Sequence, residues 1–145
     1  MGHEGGAGRW KQRFDSYGRA FALLAGDLSA KDLDGYSDLE QVGIAQRFML
    51  TFELAWKALK DYLEYSGVAV PEATPRQVIK ECAAVGIFGQ AGADPQTFLD
   101  MMLTRNALSH VYDSGRFMGA LQKINGSYLA ELEKLHRFFL GECLQ

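Results

Sequence analysis

Two long stretches of the chain carry apolar side chains at alternating four- and three-residue intervals, and no segment of any length alternates with the period of two that a half-buried strand requires. Trp10, Phe14, Tyr17, Phe21, Leu24 and Leu28 are spaced 4, 3, 4, 3 and 4. Phe117, Leu121, Ile124, Tyr128, Leu132, Leu135 and Phe139 are spaced 4, 3, 4, 4, 3 and 4. Such spacing holds every one of these side chains on one side of a helix with 3.6 residues per turn. Phe48, Phe52, Trp56, Leu59 and Leu63 make a third stripe. Beside it, Glu53, Lys57 and Asp61 follow one another at the four-residue spacing of ion pairs on a wet helix face. The aromatic ladder at 48, 52 and 56 reads as core rather than as a platform for stacking bases.

Start and stop signals divide the chain into about five helices. Ser37 and Glu40 have the spacing of a capping box, and Gly67 suits a left-handed stop after the helix they open. Thr74-Pro75-Arg76-Gln77 offers an N-cap, a proline at the first helical position and a capping-box glutamine, with a stop near Gly86. Asp94-Pro95 repeats the start, and the last helix opens near Ser114. The expected fold is an all-α, up-and-down antiparallel bundle forming one domain over residues 9–141. Residues 1–8 hold four glycines and read as a disordered leader. Residues 27–40 form an acidic connector, five acids against Lys31, expected to be solvated and without a metal role.

Composition narrows the function. The 145 residues carry 15 basic and 18 acidic side chains, a net charge of −3, so no broad basic field exists to grip duplex DNA. Two cysteines, Cys82 and Cys143, are too few for a disulfide scaffold or a zinc ribbon, and His136 is a lone histidine late in the last helix. No apolar run approaches the ~20 residues of a membrane span. No signal-peptide core opens the chain, so a cytoplasmic protein is expected. We find neither a glycine-rich phosphate loop nor a metal-binding carboxylate pair, and expect no intrinsic metal or cofactor. Gly115, Gly119 and Gly126 put small residues along the last helix, a weak signal for close helix approach.

The unusual stretch is 98–113, FLDMMLTRNALSHVYD. Phe98, Met101 and Met102 begin an apolar stripe. If the helix continues, the same arc next receives Arg105, Ser109 and Tyr112, with Asn106, His110 and Asp113 close beside it. Cationic and titratable groups placed where a core stripe was heading need partners: one another, a second subunit or a ligand. In a nuclease reading, His110 moves a proton to or from a 2′-hydroxyl or leaving oxygen, and Arg105 stabilises charge on the phosphate. Asn106 would orient either group, and no metal is required. Ser109, Tyr112 and Asp113 are the accompanying binding candidates. A structural reading, in which the arc only satisfies a helical dimerisation interface, stands beside it.

Arg105 to His110, RNALSH, resembles the Arg-x4-His motif of HEPN domains, small all-α proteins of prokaryotic defence and toxin–antitoxin systems. More narrowly, RFMLTFELAWKALKDYLEYSG at 47–67, TPRQVIKE at 74–81 and RNALSHVYD at 105–113 are together similar to the nucleotidyltransferase substrate-binding protein family. Met49 and Thr97-Phe98 depart from that pattern without touching the Arg/His segment. The resemblance implies an HEPN-like bundle that forms a homodimer and acts with a separately encoded minimal nucleotidyltransferase. The chain would be the substrate-binding, non-catalytic subunit of a two-gene module, with the nucleotide and its magnesium bound by the partner. It also implies an alternative, a metal-independent ribonuclease toxin acting on RNA and silenced when the partner transfers AMP to Tyr112.

Overall fold

The computed structural model describes residues 2–110 and 114–144, with side chains described for 8–110 and 117–144. Among the described residues there is no strand. The helices are α1 (Gly2–Ser29), α2 (Asp38–Tyr65), α3 (Pro75–Ala84), α4 (Ile87–Ala91), α5 (Pro95–Leu108), α6 (Ser114–Lys123) and α7 (Leu129–Cys143). A π turn, Ile124–Tyr128, joins the last two into one continuous helix, which leaves six α-helices rather than five among the described residues, besides one 3-10 turn at Leu33–Gly35. The addition is α4. It has five residues bounded by Gly86 and Gly92, both at positive φ, and so is too short to register as a period. The backbone of α1 begins at Gly2 and takes in most of the segment expected as a disordered leader.

Pairings between side chains give the directions. Arg13 meets Asp61 and Asp27 meets Arg47, so α1 and α2 run antiparallel. Trp10 packs on Phe139 and the Tyr17 hydroxyl donates to the Leu132 carbonyl at 2.6 Å, which sets α7 antiparallel to α1. The Asp94 amide donates to Glu131 and Tyr128 donates to Asp100, so α5 opposes the last helix. The four long helices therefore alternate up and down, with α3 and α4 inserted between the second and third. This is the expected antiparallel bundle.

Local chemistry fixes the ends. Ser37 and Glu40 close a full capping box, with Oγ accepting from the Glu40 amide at 3.1 Å and Glu40 accepting back from the Ser37 amide at 2.9 Å. Thr74 caps α3 through the Gln77 amide, but the Gln77 side chain reaches forward to Glu81 instead of back to its cap. Only half of the expected box forms there. Gly67 and Gly86 adopt the left-handed conformation that stops α2 and α3.

The three stripes meet in one core, with Trp10, Tyr17, Phe48, Phe52, Phe88, Phe98, Tyr128 and Phe139 all fully buried. Each such side chain contributes about 1.5–3 kcal/mol by leaving water. The acidic connector is more organised than a solvated loop. Asp27 binds Arg47, and Lys31 binds Glu40 at 2.8 Å, around a shallow cleft. Close helix approach occurs at Gly18, not at Gly119 or Gly126, and the surroundings of Gly115 lie outside the described residues. A methyl at Gly119 or Gly126 would meet nothing within 4 Å, whereas one at Gly18 would lie 2.9 Å from His136 Nε2. Cys82 is buried in α3, where desolvation pushes its thiol up to about 12.

His136 is half-buried against Phe14, Tyr17 and Phe21. Burial lowers its pKa from 6.5, and Glu133 offsets this in part. The unfolded chain therefore takes up this proton at a higher pH than the folded one. The stability it leaves is full above about pH 6.5 and falls as pH drops toward the depressed folded value. The expected result is a melting temperature that declines below pH 6.5, with a shallower decline in His136→Leu. Equal slopes in the two proteins would refute this account.

Candidate functional site

The end of α5 carries Arg105 and Asn106, with Ser109 at its cap and His110 in the turn after it, four of the polar residues singled out in the sequence. Asp94 caps this helix through the Gln96 amide at 3.0 Å, Pro95 occupies its first turn, and Phe98, Met101, Met102 and Leu108 bury its inner face. With α5 pinned in this way, Thr104, Arg105 and Asn106 come to the margin of the core. The Arg105 side chain is 34% exposed, so it is not the buried cation that the stripe alone suggested.

Its partner is on α2. Arg105 Nη2 donates to Glu53 Oε2 at 2.9 Å, and Nη1 donates to Asn106 Oδ1 at 3.2 Å. Glu53 also accepts from the Trp56 indole at 3.0 Å and pairs with Lys57 at 3.3 Å. One carboxylate thus gathers three donors and locks the guanidinium in place.

Beyond Arg105 the structure departs from the expected arc. The helix ends at Leu108, and Ser109 is its C-cap, donating its amide to the carbonyls of Arg105 and Ala107. The Ser109 hydroxyl bonds the Asn106 carbonyl at 2.7 Å, the backbone competition by which serine favours helix ends. His110 is exposed in the turn that follows, its amide bonded to the Ala107 carbonyl. Ser109 therefore closes the last turn of α5, and His110 follows it in the turn; no hydrogen bond or ion pair joins the His110 side chain to Arg105 among the described residues. Tyr112 and Asp113 lie outside the described residues.

Two neighbours of this site were not foreseen. Glu53 was read as half of a surface pair with Lys57. Its place in sequence, between the core residue Phe52 and the wet face, was the available signal that it could also turn inward. Tyr128 was read only as core. It stacks on Phe48 at 5.5 Å, donates to Asp100, and lies 2.8 Å from the Thr104 hydroxyl. Burial and the Asp100 carboxylate push its pKa up to about 12, so it is a neutral donor. The π turn that carries it gives this polar group its register against α5; such turns often mark working positions. Among the described residues, no three His, Cys, Asp or Glu side chains cluster as a metal site would require, and no helix is long and apolar enough to cross a membrane.

Fold and site together define a small all-helical protein whose polar groups gather where its third long helix opens to solvent. By sequence, the chain belongs to the family described as nucleotidyltransferase substrate binding protein like, which it matches over residues 12–140. No curated protein matches it.

Proposed function

We propose that this chain is the helical, partner-binding subunit of a two-gene toxin–antitoxin-like module, working as a homodimer with a separately encoded minimal nucleotidyltransferase. The observation that carries the reading is the family match across residues 12–140, which spans all four long helices. In this reading the partner holds the nucleotide and its magnesium. The end of α5 is the surface presented to it: Arg105 held by Glu53, with Asn106, Ser109 and His110 alongside and Tyr112 and Asp113 next in the chain. Tyr112 would accept AMP only in the nuclease reading that follows, where the transfer silences the chain.

The fixed Arg105 favours a second reading, a metal-independent ribonuclease. A guanidinium fixed by a carboxylate and an amide oxygen, and still one-third exposed, suits a scissile phosphate. The exposed imidazole of His110, on the adjoining turn, would relay the proton as the 2′-oxygen attacks phosphorus and the 5′-oxygen leaves. Asn106 already holds the guanidinium and would orient it.

Both readings are tested by producing the chain alone and together with the nucleotidyltransferase encoded beside its gene. The expected result is a complex that survives size exclusion, and a mass of two chains when the protein is alone. Separate elution of the two proteins would sink the first reading. Cleavage of single-stranded RNA in the presence of a chelator, lost in Arg105→Ala and His110→Ala, is the result expected of the second. An inert wild-type chain removes it.

A further inference from the structure

The helix pair α1–α2 carries a feature that partner binding does not use. Two adjoining clefts of about 230 and 200 Å³ open along it, and Arg13 lines both. The first adds Arg9, Gln12, Ser16 and Leu54, and the second adds Trp56, Lys57, Lys60, Asp61 and Ala73. Four cations line the pair against the single carboxylate of Asp61, in a chain whose overall charge is −3.

We propose that this double cleft binds an oligophosphate, the chain of linked phosphates carried by a small molecule. The proposal concerns this chain's own helices and does not depend on the nucleotidyltransferase partner. Asp61 is almost wholly buried and is engaged by Arg13 through Nε at 3.1 Å. No described group accepts a hydrogen bond from the terminal nitrogens of Arg13, so its fork remains open to a second anion. The other three cations lean on carboxylates that can release them. Arg9 lies 3.9 Å from Glu64, Lys60 3.2 Å from Glu64, and Lys57 3.3 Å from Glu53. All three distances exceed the 2.7–2.9 Å of a tight charge-assisted bond. Glu53 in particular is held more closely by Arg105, at 2.9 Å.

Several positive groups converging on one small trough suit several negative charges on adjacent groups. The trough does not suit a single-stranded nucleic acid equally well. Its one aromatic ring, Trp56, is only 8% exposed and offers no face on which a base could stack.

Calorimetric titration of the whole chain with inorganic triphosphate tests the proposal. The expected result is saturable binding that weakens with added salt. Lys60→Gln should weaken it about tenfold and Arg9→Gln by a smaller factor, as expected for losing one charged contact to phosphate. Both variants should keep the wild-type melting temperature, because their partner Glu64 is solvent-exposed. Arg137→Gln, on α7 and outside the clefts, should bind as the wild type does. Absence of saturable binding would overturn the proposal. So would equal weakening by Arg137→Gln, or an RNA oligonucleotide that triphosphate cannot displace.

Discussion

Trp10→Ala is expected to destabilise the bundle by about 3–5 kcal/mol, the range for deleting a large buried aromatic side chain. Trp10 is 1% exposed and joins three helices. Its ring meets Tyr62 of α2 edge-on at 5.2 Å, Phe139 of α7 at 5.7 Å and Phe14 of α1 at 6.3 Å. Removing it opens a cavity at the seam of all three, where one helix cannot close the gap without drawing away from another. A loss of that size lowers the melting temperature by about 10–15 °C in a chain of this length. Trp10→Phe should cost much less than its lost volume implies. Among the described residues, the indole Nε1 is the one buried side-chain nitrogen or oxygen without a hydrogen-bond partner. Burying an unpaired donor is itself unfavourable, and phenylalanine removes that donor along with part of the ring. Urea unfolding of the two variants checks both statements, and a Phe variant as weak as the Ala variant would contradict the second.

Trp10 also illustrates what could be read from the sequence. It opens a six-residue stripe, and stripes report which side of a helix faces inward, so the core and the alternating bundle followed from spacing alone. Caps were legible for the same reason, since a cap is a contact between residues three apart. What failed was chemistry between elements. Glu53 and Arg105 are 52 positions apart, and no local period links a carboxylate on one helix margin to a guanidinium on another. The continuation of α5 past Leu108 failed for a different cause. The hydrophobic pattern allowed it, but Ser109 offered its hydroxyl to a backbone carbonyl and ended the helix. The π turn at 124–128 inserts its extra residue inside an unbroken apolar stripe, where a 4, 4 spacing looks like ordinary α-helix. Helix existence is written in periodicity, whereas the polar site depends on where helices stop and what then meets across the bundle.

Arg13→Met is expected to cost about 2–4 kcal/mol, somewhat below the range for breaking a fully buried ion pair because Arg13 is itself one-third exposed. The reason lies with its partner. The Asp61 side chain is 3% exposed, and without Arg13 its carboxyl group loses its partner in a place that water scarcely reaches. The reverse change, Asp61→Leu, should cost less, since a freed guanidinium can extend into solvent. The double variant Arg13→Met/Asp61→Leu should recover most of the loss, because two apolar groups of similar bulk need no partner. A double variant no more stable than Arg13→Met would show that the pair is not what makes Arg13 costly to lose. The same variant separates fold from ligand. Arg13 lines both α1–α2 clefts, so a double variant that regains stability should still bind triphosphate more weakly than the wild type. Loss of binding in a protein that unfolds like the wild type cannot be attributed to a damaged core, and it would place the anion at the arginine fork.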